Sequence, residues 1–194
     1  MSIGIQANRQ KIAVLLEYLA TIMPNVQLRK LLKILYLIDE ESVKSRAIPV
    51  TWLDYYAWKK GPVAPEIYEM KNGAFSDYVT CAVGDDGKWH VSSIKTAPYL
   101  IDKDMEIMSD YERQIIDRVL LQYMHKSADE LTEETHMRDS LWSQVVEENK
   151  IDFSDNSKSE YIVDLNRIND NDASLKEIYA DAMDVMQMQA FLIS

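Results

Sequence analysis

The sequence predicts an α+β chain, mainly α-helical, in which a helical bundle surrounds a central hydrophobic helix and carries a small antiparallel β-sheet or hairpin. Three observations predict it. Residues 28–39 place apolar side chains at 28, 31, 32, 35 and 38, and every residue from Ile34 to Ile38 is apolar or aromatic, so the helix keeps no wet side and needs neighbours all round. Two capping boxes, Ser109 to Glu112 and Ser127 to Glu130, open further helices. Two β-prone runs, 78–83 and 88–94, flank Gly84-Asp85-Asp86-Gly87, an Asp-Gly hairpin turn.

In chain order, Asn8 caps a helix over 9–23 whose Ile12, Leu15, Leu16 and Leu19 share a face and which Pro24 ends. The loop 24–27 is short, so the first two helices are expected as antiparallel neighbours. After the central helix, 51–58 is rich in aromatic and β-branched residues and reads as a half-buried strand. It is expected to pair with the hairpin, because a lone hairpin is marginal in water. The strand runs into Lys59-Lys60-Gly61-Pro62-Val63-Ala64-Pro65, where Pro62 restricts Gly61, and Pro65 restricts Ala64 while fitting the first turn of a helix over 66–72 that Gly73 stops. The helix from Ser109 runs to Met124 with Ile115, Ile116, Val119, Leu120 and Tyr123 on one side, the one from Ser127 ends near Glu134, and a short helix follows around Trp142, Val145 and Val146. Residues 151–160 and 166–172 are polar loops. Leu175, Ile178, Tyr179, Ala182, Val185 and Met186 mark a final amphipathic helix to about 192, and its Met183, Met186 and Met188 are expected to fill core.

With 194 residues, 47% of them hydrophobic, the chain is expected to be one domain over 1–194 that buries its core without disulfide or metal. Cys81 is the one cysteine, which excludes an internal disulfide and points to a reducing compartment. Residues 1–6 show no signal-peptide pattern, and no apolar run approaches the roughly 20 residues of a membrane span, so a cytoplasmic protein without membrane contact is expected. The net charge of −11 is uneven: residues 1–72 hold ten Lys/Arg and seven Asp/Glu, net +3, whereas 73–150 carry eight and sixteen, net −8, and 151–194 three and nine, net −6. Such a chain repels phosphate backbones, so nucleic acid is not expected as a partner of the free chain, and its charge suits steering toward a basic protein.

Chemistry is sparse. His90, His125 and His136 are too scattered for a metal site, and no His-Glu-x-x-His or Cys-x-x-Cys motif is present. Asp170-Asn171-Asp172 starts like a calcium loop but has Leu175 and Asp181 where glycine and glutamate are required. The five glycines form no phosphate loop. No metal and no cofactor is expected, and Cys81 reads as a small hydrophobe within a strand. Two constellations remain. The corner at 58–63 is either a packing device or a set of rigid aromatics at a basic edge of the kind that anchors interfaces. Thr135-His136 with Trp142 supplies a histidine open to three readings, as a hydrogen-bonded structural residue, a partner contact or a general base, with no nucleophile identifiable beside it.

The run Leu31-Leu32-Lys33-Ile34-Leu35-Tyr36-Leu37-Ile38-Asp39, the run from Tyr55 to Tyr68 through Trp58-Lys59-Lys60-Gly61-Pro62-Val63, and Ser127-Ala128-Asp129-Glu130-Leu131-Thr132 with Thr135-His136 and Trp142 occur in this order. Together they resemble the Panacea domain, the SocA-like, phage-associated antitoxin family, over about residues 10–150, with an acidic extension and final helix over 151–194. The resemblance implies a mostly helical, non-enzymatic bacterial antitoxin domain that neutralises a toxin encoded nearby by direct contact. It makes Tyr36, Asp39 and Tyr55 family-motif or partner-binding candidates, together with Trp58, Lys60, Gly61, Pro62, Val63 and Tyr68 of the corner, and with His136 and Trp142. Two competing functions stand beside it: an adaptor that delivers a bound partner to a protease, and an enzyme using His136. Self-association is left open by the sequence.

Overall fold

The computed structural model describes residues 7–95 and 104–193; residues 1–6, read for a signal peptide, lie outside them. The chain is α+β and mainly α, with seven α-helices and two small antiparallel sheets among the described residues. Helix α1 (Arg9–Ile22) starts where the Asn8 side chain accepts from Lys11 N at 3.0 Å. The two-residue strand β1 (Val26–Gln27) leads into α2 (Leu28–Arg46), the predicted central helix. Helix α2 runs beyond residue 39 through Glu40-Glu41-Ser42-Val43 and ends at Ala47, which takes a left-handed φ of 62°. Its Leu31, Ile34, Leu35 and Ile38 are fully buried. Its principal helical neighbour is α4 (Asp110–Tyr123), whereas α1 packs on strand β5 (Trp89–Ser93), so the expected pairing of the first two helices is not the main contact of either.

The strands depart from expectation. Strand β2 (Tyr56–Trp58) turns at Lys59-Lys60 and pairs with β3 (Gly61–Val63), with Trp58 opposite Gly61 and Tyr56 opposite Val63. The aromatic segment therefore does not join the hairpin. Its N-terminal half is not strand at all: Trp52 has a φ of 57°, a left-handed value that breaks an extended run. Helix α3 (Pro65–Tyr68) and a 3-10 turn (Glu69–Asn72) follow, ending at Gly73 with φ 91°. Strands β4 (Val79–Val83) and β5 (Trp89–Ser93) form the predicted hairpin, which gains its third strand from β1, in the segment read as loop.

Both predicted capping boxes are present, at the starts of α4 and α5 (Ala128–Thr135), and Ser140 caps α6 (Leu141–Glu148). Residues 157–163 form a strap over β2, in which Lys59 N donates to Ser157 O at 2.8 Å, Ala57 N to Tyr161 O at 2.9 Å, and Val163 N to Tyr55 O at 2.7 Å. A 3-10 turn (Leu165–Asn169) packs against α2 before the last helix, α7 (Ala173–Ile193). Tyr179 of α7 is buried and stacks at a tilt on Trp52, but Ile178, Val185 and Met188 are exposed. Met188 thus does not fill core, whereas Met183 packs against it. No helix among the described residues is long and apolar enough to cross a membrane.

Candidate functional site

The corner at 58–63 sits on a buried polar cluster that joins four chain segments. Gly61 holds a φ of 101°, which side-chain-bearing residues rarely adopt. A β-carbon built on it would overlap Lys33 Nζ and lie 2.9 Å from Thr135 Oγ1 and 3.0 Å from His136 Nε2. Pro62 needs no amide partner, and its carbonyl accepts from Lys33 Nζ at 3.3 Å. Lys33 is 1% exposed. Burial, with the nearby Arg29 charge, pushes its ammonium down to about 7.

Helix α5 delivers the other half. Its last residue, Thr135, turns its hydroxyl back to Leu131 O and Thr132 O, both at 3.1 Å. His136 caps the helix through N–H to Thr132 O. The His136 ring stacks on Trp142, with centroids 3.6 Å apart and planes within 3°. The Trp142 ring also runs parallel to that of Phe153, with centroids 6.1 Å apart, and its Nε1 donates to Trp58 O at 2.9 Å, closing the circuit back to the corner. Burial and the positive charges of Lys33 and Lys60 push His136 down to about 4. Its Nε2 is buried and finds no hydrogen-bond partner among the described residues. The ring is held by stacking on Trp142, and among the described residues no carboxylate bonds it to orient it as a base.

Tyr36, Asp39 and Tyr55 form a second, separate cluster along α2. Asp39 is fully buried, and its carboxylate accepts from Thr51 N at 2.8 Å, from Thr51 Oγ1 and from Tyr55 OH at 2.8 Å. Burial raises its pKa, an effect that these hydrogen bonds oppose. Tyr36 meets Tyr55 edge to face at 5.2 Å and donates to Glu40 at 3.1 Å. This cluster ties residues 51–55 to the central helix, and its three side chains are all buried.

The outer face of the corner borders a concavity of about 470 Å³. Its apolar floor is Leu28, Leu32 and Val63, its walls include Trp58, Tyr68 and Trp89, and its cationic lining is Arg29, Lys59, Lys60, Lys71 and Lys88. Among the described residues no Asp or Glu lines it, although the chain holds 32 acidic and 21 basic residues. Trp58 and Tyr68 meet edge to face at 5.1 Å. Lys71 Nζ lies 4.0 Å from the Tyr68 centroid and donates to its hydroxyl at 2.7 Å.

Of the residues singled out in the sequence, the fold gathers Trp58, Gly61, Pro62, His136 and Trp142 into the first cluster, and Tyr36, Asp39 and Tyr55 into the second. Trp58, Lys60, Val63 and Tyr68 line the concavity. Sequence reasoning passed over Lys33, Thr51 and the contributions of Arg29, Lys71, Lys88 and Trp89. Lys33 carried a signal, a lysine set between Leu32 and Ile34 in the most apolar helix; the others are brought in by pairings that no local pattern encodes.

The family model described as antitoxin SocA-like, Panacea domain, matches residues 31–143. That span runs from just before Lys33 to just past Trp142 and contains both clusters. No curated protein and no solved structure matches the chain.

Proposed function

The chain belongs to the SocA-like antitoxin family with its Panacea domain, and from that premise we propose that it neutralises a cognate protein toxin, encoded nearby, by binding it directly and without catalysis. The family match is the observation that carries this reading. The cluster chemistry supports it. His136 is stacked on Trp142, and Lys33 is sealed beneath Gly61. A rigid corner with an open aromatic and cationic face is the arrangement of a binding surface.

The proposal assigns the polar cluster to holding the corner and the residues of its outer face to meeting the toxin. Co-expression with the adjacent open reading frame, followed by size-exclusion chromatography, tests it. Rescue of growth with a co-eluting complex is the expected result, and toxicity that this chain does not relieve overturns it. His136→Gln separates binding from catalysis: neutralisation is expected to survive this change in a folded protein, whereas an enzyme using this ring loses its activity.

A further inference from the structure

We propose that the concavity beside the corner receives an acidic segment of the partner protein, carboxylates on its lysines around an aliphatic side chain on the Leu28–Leu32–Val63 floor. The inference deepens the antitoxin reading and rests on it for the existence of a protein partner. Charge is the first argument. The net charge of −11 governs long-range steering, but the groove itself presents five cations and, among the described residues, no carboxylate, so contact at this place selects the opposite sign from the one the whole chain suggests. Lys60 and Lys88 are exposed and form no ion pair with a described carboxylate. Arg29, by contrast, already holds Asp129 at 2.6 Å, and Lys59 donates to Phe153 O at 3.1 Å.

Preorganisation is the second argument. Lys71 is fixed against Tyr68 by its hydrogen bond and its place over the ring, and it also lies 5.5 Å from the Trp89 centroid. A cation held this way loses little side-chain freedom when a carboxylate arrives. The same contacts disfavour nucleic acid. Base stacking needs free ring faces, but Lys71 covers Tyr68, and Lys158 lies 4.6 Å from the Trp58 centroid and 5.2 Å from that of Tyr68. A phosphate chain would also continue past the groove across an acidic protein. An apolar floor beneath a cationic rim suits a leucine-like anchor flanked by Asp or Glu, the pattern of a short docked peptide.

Fluorescence anisotropy with the full chain tests this, using a fluorescein-labelled peptide Gly-Asp-Glu-Leu-Asp-Glu-Leu-Glu-Asp-Gly, the same peptide with serine for leucine, and an oligothymidylate of equal charge. The leucine peptide is expected to bind, and K60E/K88E, two exposed substitutions, to weaken it about tenfold or more, while the remote charge control K150E/K176E leaves it unchanged. The serine peptide is expected to bind about tenfold more weakly, reflecting loss of the buried anchor. Absence of peptide binding, equal binding by K60E/K88E, or tighter binding and displacement by the oligothymidylate each overturns the proposal. A parallel growth assay separates the two readings. If the natural chain rescues and K60E/K88E rescues equally well, the groove assignment falls and the antitoxin reading stands. If the natural chain does not rescue, the antitoxin reading falls, and the peptide titration still decides what the groove binds.

Discussion

Replacing Lys33 with methionine should stabilise the protein, and by an amount that depends on pH. The lysine is 1% exposed, and its ammonium's only hydrogen bond among the described residues, to Pro62 O, is a long 3.3 Å. Its pKa falls from 10.5 to about 7 on folding, so the unfolded chain binds more protons than the native one between those values, and stability rises with pH across that window. Below about 7 the full cost of burying the charge is present; above 10.5 it is gone. With about 1.4 kcal/mol per unit, that cost is on the order of 5 kcal/mol at pH 6 and about 2 kcal/mol at pH 9. Methionine fills similar volume without charge and forgoes one weak hydrogen bond, worth about 1 kcal/mol at either pH. Lys33→Met should therefore gain about 3 kcal/mol more over the natural chain at pH 6 than at pH 9, read from urea unfolding of both proteins at both pH values. Groups that do not sense Lys33 cancel in that difference, and His136, relieved of the Lys33 charge, adds to the gain at pH 6 in the same direction. Equal gains at the two pH values would refute the assigned titration, and a loss at both would show that the ammonium is better paired than its geometry states.

Gly61→Ala should destabilise by about 2 kcal/mol or more, since it forces a β-carbon into a left-handed φ and against the lysine, threonine and histidine behind it; the thermal midpoint reads this, and combining it with Lys33→Met should recover part of the loss. Asp39→Ala leaves Thr51 N, Thr51 Oγ1 and Tyr55 OH without their acceptor and should cost about 3 kcal/mol or more in urea unfolding. Because burial raises the pKa of Asp39, its own contribution opposes stability above that pKa and does not drive acid unfolding, so the Asp39→Asn penalty should shrink as pH rises from acid to neutral. Trp142→Phe keeps the stack on His136 but loses the bond to Trp58 O, and should cost about 1 kcal/mol.

Where a signal was local, the sequence was legible. Both capping boxes, the central helix, the Asp-Gly hairpin and the Gly61-Pro62 corner depend on residues within a turn of one another, and each is where its pattern put it. The failures are pairings. That 51–58 bends back on 61–63 instead of joining the hairpin follows from Gly61 and from the strap at 157–163, which bonds Ala57 N and the flanking Tyr55 O and Lys59 N from a hundred residues away. Two residues at 26–27 were too few to show a strand period, yet they complete the other sheet. The cationic concavity was invisible for the same reason: Arg29, Lys71 and Lys88 sit on three separate elements, and two adjacent lysines at 59–60 did not announce the rest.

The polar cluster under the corner is costly by the reckoning above, so stability is a poor reason for it. A buried lysine, a threonine hydroxyl and an uncharged histidine could be replaced by apolar side chains of similar volume at a gain. What an apolar replacement would not supply is position. The Lys33 ammonium bonds the Pro62 carbonyl, Gly61 leaves that ammonium the space a β-carbon would take, and Trp142 pins the Trp58 carbonyl. These contacts fix the height and twist of a two-residue turn whose Lys60 reaches into the groove. If that is their role, Lys33→Met should make the protein harder to unfold as a whole while the corner loosens, with faster hydrogen exchange at the Trp58 amide, across from Gly61. Slower exchange there along with the global gain would mean that the lysine holds nothing in place, and the cluster would have to be explained by something other than the geometry of the corner.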